Sequence, residues 1–120
     1  MSILEKTVLL FLKRSGILYE QHKRFSFIGK KSLDFYLPDY NVAIECQGVQ
    51  HYKKDCGMFD GENQQKRDII KEEECSKNGI KVIYYTDSKN KKIVPKRFKE
   101  NTFFNLKLLL ERIIVLKSIK

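Results

Sequence analysis

Residues 32–47, SLDFYL-PDYN-VAIECQ, constrain the fold of this chain more than any other segment. Two short runs alternate apolar and polar side chains with the period of a strand, and Pro38-Asp39-Tyr40-Asn41 between them is a turn. Leu33, Phe35 and Leu37 share one face of the first run, with Asp34 and Tyr36 on the other. In the second run Val42, Ile44 and Cys46 oppose Ala43, Glu45 and Gln47. The segment therefore reads as an antiparallel hairpin with one apolar face and one face that carries acids.

The rest of the chain frames this hairpin. Residues 2–15 predict a helix, with Ser2 as its cap and Gly16 at its end. Residues 18–28 favour a strand on the alternation of Phe25 and Phe27, and Gly29, Lys30 and Lys31 form a turn. After an irregular stretch at 49–61, a mostly polar helix is expected from about Glu62 to Asn78, anchored by Ile69 and Ile70 and stopped by Gly79. The β-branched run at 80–85 is a buried strand. A basic loop covers about 86–100, and Asn101 caps a long C-terminal helix rich in Leu and Ile. That helix either packs on the sheet or forms a dimer interface. The expected order is helix, three strands, helix, strand, helix: a single α/β domain over residues 1–120, built on a mixed sheet. A chain of 120 residues can close one hydrophobic core.

Register turns the hairpin into chemistry. A four-residue loop at 38–41 pairs Leu37 with Val42 and brings Asp34 directly opposite Glu45. Directly opposed Cβ atoms lie about 4.5–5.5 Å apart. Two carboxylates that close repel unless a cation sits between them, and Mg²⁺ is bound by one or two carboxylates with room left for phosphate. Gln47 lies on the same face as Glu45, and the backbone carbonyl of Cys46 is a further hard oxygen nearby. The competing reading is a pair of solvated acids on an exposed sheet face. Acids are depleted in strands, and these two sit in apolar company, which favours the metal.

Charge points to a polyanionic partner. Twenty-four basic and fifteen acidic residues give a net charge of +9, and Lys89, Lys91, Lys92, Lys96, Arg97 and Lys99 follow one another with no acid between them. A basic surface that only solubilises the protein is the plain alternative. No apolar stretch is long enough to span a membrane. The N-terminal apolar run is broken by Glu5 and Lys6, which argues against a signal peptide. Three cysteines without a C-x-x-C pattern argue against a disulfide framework and suit a cytoplasmic setting. His51, Cys56 and Cys75 fit no common zinc spacing. Tyr19, Phe25, Phe27, Phe35 and Phe59 read as core aromatics rather than base-stacking surfaces.

The string LDFYLPDYNVAIECQGVQHY resembles the core of the PD-(D/E)XK nuclease superfamily. It looks most like the branch related to very-short-patch-repair endonucleases and their phage and intron-encoded relatives. The close match covers residues 32–52, and the order of elements extends it to about residues 2–85. The resemblance implies a restriction-endonuclease-like αβββαβ core with a C-terminal helix added. It implies that Asp34 and Glu45 hold the metal, with the Cys46 carbonyl beside them. Gln47 stands where much of the superfamily has Lys, and Leu33 stands where it has Pro. His51 matches the histidine of the repair branch, which activates water or protonates the leaving oxygen. Glu5 matches the first-helix acid that relatives often add to the metal site, although Ser2-x-x-Glu5 is also a capping-box pattern. Arg67 and Asp68 match a pair seen in relatives, and a solvated salt-bridge face would account for them equally.

The expected function is hydrolysis of phosphodiester bonds in DNA, dependent on Mg²⁺ with Mn²⁺ as a substitute. The catalytic set is Asp34, Glu45, Gln47, His51 and Glu5, without an organic cofactor. Lys53, Lys54, Lys66, Arg67, Lys71, Lys91, Lys92, Lys96 and Arg97 would grip the DNA backbone. The alternative is a non-catalytic nucleic-acid-binding module on the same fold, and a protein-interaction domain is a third reading. No base-reading motif is present. Specificity would come from a separate module, a homodimer partner or the shape of the DNA.

Overall fold

A computed structural model describes residues 2–48 and 61–119. Its elements, in chain order, are α1 (Ile3–Ser15), β1 (Glu20–Lys23), β2 (Leu33–Leu37), β3 (Val42–Cys46), α2 (Gly61–Lys77), β4 (Lys81–Tyr85), α3 (Lys96–Lys99), β5 (Thr102–Phe103) and α4 (Leu106–Ile119). The strands form one mixed sheet in the order β1-β2-β3-β4-β5. The first three strands pair antiparallel, and β4 and β5 join in parallel. The chain is α/β, with helices on both faces of this sheet. No helix among the described residues is long and apolar enough to cross a membrane.

The hairpin forms in the register expected from its turn. Leu37 pairs with Val42 and Phe35 with Ile44. The Tyr40 N–H closes the turn on the Leu37 carbonyl at 3.1 Å, and Asn41 takes φ +53°, a left-handed conformation that Asn accepts at low cost. The Tyr36 hydroxyl donates to the Asn41 side-chain oxygen at 2.8 Å, which ties the strand to its own turn.

Burial on both faces explains why the strands are so apolar. One core holds Val8 and Leu12 of α1 and Leu109 and Ile113 of α4 against Phe35, Leu37, Val42, Ile44 and Ile83. The other holds Cys75 of α2 and Phe98 of α3 against Leu33, Ala43, Val82 and Tyr84. Each fully buried side chain of this size contributes about 1.5–3 kcal/mol. The C-terminal helix thus packs on the sheet through Leu109 and Ile113, while Leu108, Ile114 and Val115 stay exposed. Tyr19 meets Phe35 edge-on, and Phe25 stacks on Phe27, so the described aromatics belong to the two cores.

Both glycine stops act as expected. The Gly16 N–H donates to the Lys13 carbonyl and the Ile17 N–H to that of Leu12. Gly79 and Ile80 repeat the pattern with Ser76 and Cys75. In each case a left-handed glycine (φ +68° and +77°) lets the chain turn back on the last helical carbonyls.

Several expectations are corrected. The strand expected over 18–28 is only Glu20–Lys23, because Ser26–Ile28 close a 3₁₀ turn that stacks Phe25 on Phe27 rather than alternating them. Leu33 packs in the core on the α2 side, not with Phe35 and Leu37. Ile70 does not anchor α2. It is exposed, because adjacent helical residues point about 100° apart and Ile69 takes the inward position. The basic stretch 86–100 holds a 3₁₀ turn at Ser88–Asn90 and the short helix α3. Asn101 does not cap the last helix. Thr102 and Phe103 first add a fifth strand, and the cap is Asn105, whose side-chain oxygen accepts from the N–H groups of Lys107 (2.8 Å) and Leu108 (3.3 Å).

Candidate functional site

The hairpin register carries Asp34 and Glu45 to opposed positions at the ends of β2 and β3, on the α2 side of the sheet. The two carboxylates reach across to one another's strands. The Asp34 N–H donates to Glu45 Oε2 at 2.8 Å, and the Cys46 N–H donates to Asp34 Oδ2 at 2.8 Å. Both side chains line one cavity of about 310 Å³ with Glu5, Cys46, Gln64, Asp68 and Lys71. Neither acid is a solvated residue on an open face: Glu45 is 7% exposed. Burial raises the Asp34 carboxyl to about 7, and the neighbouring Glu45 charge adds to the rise. The Cys46 N–H and Lys71 only partly offset it.

Helix α2 supplies the counter-charge. The Lys71 ammonium donates to Glu45 Oε1, and at 2.9 Å to the Ser32 carbonyl. Burial alone would lower its pKa, but Glu45 outweighs that and raises it, so Lys71 stays charged. Lys71, expected to grip the DNA backbone, sits on Glu45 and also lines the neighbouring basic groove. It is drawn into the cavity, because a buried carboxylate at Glu45 requires a partner.

One turn earlier on the same helix, Asp68 is buried and accepts from Gln47 Nε2 at 3.0 Å and from Gln64 Nε2 at 3.2 Å. The Gln47 amide therefore braces α2 against β3. The Gln47 backbone carbonyl also accepts from the buried Thr86 hydroxyl, to which Asn90 donates in turn. Gln47 holds a wall of the cavity in place, while Asp68 forms part of that wall.

Glu5 enters from α1. Its backbone N–H is capped by Ser2 Oγ at 3.1 Å. Its carboxylate lines the cavity, and the buried Oε2 accepts no hydrogen bond from any described residue. The imidazole of His22 on β1 stands beside it, with Nε2 at 3.6 Å from Glu5 Oε2. Glu5, His22 and Asp34 each present a ligand atom, and all three lie within 4.8 Å of one another.

Comparison of the chain with protein-family models, with curated proteins and with solved structures finds no match. The geometry therefore carries the functional reading.

Among the described residues, the cavity wall holds four acids, Glu5, Asp34, Glu45 and Asp68, against one cation, Lys71. Hard oxygen donors in excess of local positive charge suit a divalent cation. The Glu5 oxygen without a hydrogen bond and the raised Asp34 carboxyl fit the same need. Beside it lies a second depression, lined by Lys30, Lys31, Arg67 and Lys71 together with Asp34 and Asp68. A cationic groove thus runs up to the acids. Lys30 and Lys31, read from sequence only as a turn, form part of it.

The remaining basic residues are spread over the surface. Lys66, Lys91, Lys92 and Lys96 are exposed. Arg67 is restrained by Gln64, to which it donates at 2.9 Å. Arg97 donates to Glu72 at 2.9 Å, and Glu72 also accepts from the Tyr84 hydroxyl, which pins α3 to the core. Cys46 and Cys75 are free thiols; burial pushes both upward, Cys75 to about 11, so neither is a thiolate. His51, Lys53, Lys54, Cys56 and Phe59 lie outside the described residues.

Besides Lys30 and Lys31, sequence reading missed His22 as a site residue and did not foresee the contact of Lys71 with Glu45. Lys71 left no signal beyond its being a cation on a polar helix. His22 left none either: its place beside Asp34 follows from the β1–β2 register, Gln21↔Phe35 and Lys23↔Leu33, which only the folded sheet fixes.

Proposed function

We propose that this chain is a metal-dependent endonuclease that hydrolyses phosphodiester bonds in DNA, on a restriction-endonuclease-like core. The observation that carries the reading is the pair Asp34 and Glu45. They are opposed in register, buried in one cavity with Lys71 on Glu45, and open to a groove lined by Lys30, Lys31 and Arg67. The resemblance of residues 32–52 to the PD-(D/E)XK superfamily supports the same assignment.

Asp34 and Glu45 would hold Mg²⁺, with Mn²⁺ as a substitute. An ion held by these two carboxylates would supply Lewis-acid polarisation of a phosphate and a water of lowered pKa. Lys71 takes over the task of the missing lysine at position 47. Its ammonium stands beside Glu45, where it stabilises charge that grows on a phosphate in the transition state. Gln47 and Asp68 hold α2, and with it Lys71, at a fixed depth. Lys30, Lys31 and Arg67 position the DNA backbone without reading its sequence. His51 is the assigned proton carrier of the resemblance.

A plasmid-nicking assay with Mg²⁺ or Mn²⁺ tests this. Wild type nicks, and Asp34→Ala and Glu45→Gln abolish nicking while sparing DNA binding. Lys71→Ala lowers the rate about 10²–10³-fold, the cost of one transition-state donor. The second reading, a non-catalytic nucleic-acid-binding module, is favoured by the Lys71–Glu45 ion pair, which already neutralises one acid. It predicts DNA binding that survives EDTA and no nicking with either metal.

A further inference from the structure

Three side chains from three elements meet at the outer rim of the acidic cavity: Glu5 from α1, His22 from β1 and Asp34 from β2. Only Glu5 and Asp34 line the cavity itself, and His22 closes the rim from the edge strand. Asp34 and Glu45 are joined across β2 and β3 by the bonds of their carboxylates to each other's strand, and His22, in a left-handed conformation (φ +53°), falls between the Gln21↔Phe35 and Lys23↔Leu33 pairs and so beside Asp34, which gives a row of three. The row changes character along its length. At the β3 end the donors are carboxylate oxygens neutralised by Lys71. At the β1 end an imidazole replaces the lysine.

The Glu5–His22 contact is 3.6 Å, too long for a hydrogen bond. It is the spacing of two donors on one ion, since ligands about 2.0–2.2 Å from a metal stand roughly 3.0–3.6 Å apart at bond angles near 90–120°. The widest separation in the triad is at most 4.8 Å, and closing it onto a common centre takes about 1 Å of side-chain movement, within reach of the half-exposed imidazole. Glu5 Oε2 is buried without a hydrogen bond from any described residue, so it keeps a lone pair free for that centre. His22 is half exposed, which leaves a path for the ion and open positions for water or a phosphate oxygen.

We infer that Glu5, His22 and Asp34 form a second divalent-cation site, and that its imidazole makes it selective for a transition metal over magnesium. Mg²⁺ takes oxygen ligands, whereas Mn²⁺, Co²⁺ and Zn²⁺ accept imidazole nitrogen with rising affinity. The site shares Asp34 with the proposed catalytic pair but needs neither Glu45 nor Lys71. It rests on the endonuclease reading in no other respect.

The sequence contains two histidines, His22 and His51, which makes the test clean. Mn²⁺ is bound to the full chain, and electron spin-echo spectroscopy reads nitrogen modulation from a directly coordinated imidazole. The modulation is expected in wild type, in His51→Gln and in Glu45→Gln, and is expected to vanish in His22→Gln. Calorimetry is expected to show Mn²⁺ binding about tenfold or more tighter than Mg²⁺ in wild type. That preference shrinks in His22→Gln, with Mg²⁺ affinity unchanged. Modulation that survives His22→Gln, or that disappears with His51→Gln, overturns the site. So does a Mn²⁺ preference that His22→Gln leaves intact. Nicking abolished in Glu45→Gln with the modulation retained separates the two metal positions. Modulation in a wild type that never nicks keeps this site and rejects the endonuclease reading.

Discussion

Asp34 is the residue on which opposing forces are most plainly balanced. Its carboxyl titrates near 7 instead of 3.8, first because it is buried and second because Glu45 faces it. A group whose pKa is raised on folding favours the folded state while protonated. That contribution is complete below about pH 4 and fades as the pH climbs through 7. Asp34→Asn keeps an acceptor for the Cys46 N–H and cannot ionise. In EDTA, urea unfolding of this variant and of wild type should therefore diverge between pH 4 and 8. The variant gains about 1–3 kcal/mol over wild type across that window. A gap that stays flat with pH would show that Asp34 is not strained by its surroundings. Nothing in the sequence encodes this balance directly. The opposition of Asp34 and Glu45 was legible from alternation and turn length, whereas Lys71 and His22 were not. Their contacts join different elements, and no local spacing records which side chain of a helix or edge strand will meet a buried acid.

Among the elements, legibility followed length and period. The hairpin, both glycine-terminated helices and β4 announce themselves because each carries its own pattern and stop signal. β5 is two residues long and has no period to read; it exists because Tyr84 and Tyr85 leave a free edge for Thr102 and Phe103. That added strand moves the start of α4 from Asn101 to Asn105, a residue of the same capping type. The cap makes a direct prediction. Asn105→Ala should cost about 1 kcal/mol, read as a lower urea midpoint, because the Lys107 and Leu108 N–H groups lose their acceptor. Asn101→Ala should not weaken the helix start. Ile70 failed as an anchor for a related reason. On a polar helix two adjacent isoleucines cannot both face the sheet, and only the fold decides which does.

At the scale of the molecule, the positive charge is organised around the acids rather than merely abundant. Lys30, Lys31 and Arg67 stand in the groove that leads to Asp34, whereas the exposed Lys91, Lys92 and Lys96 do not line it. If the groove carries DNA, replacing Lys30, Lys31 and Arg67 together with Ala should flatten the dependence of log K on log salt by roughly three units, one for each phosphate that is no longer neutralised. Replacing Lys91, Lys92 and Lys96 should change it less. Fluorescence anisotropy across a salt series reads both.

Glu5, Asp34, Glu45 and Lys71 reach the cavity from the first helix, both arms of the hairpin and the helix beyond it. None of these segments holds the cluster alone, so on a growing chain Glu45 gains its Lys71 counter-charge only once α2 has docked. Should an ion bind between Asp34 and Glu45 as proposed, its affinity there would report on the docking of that helix.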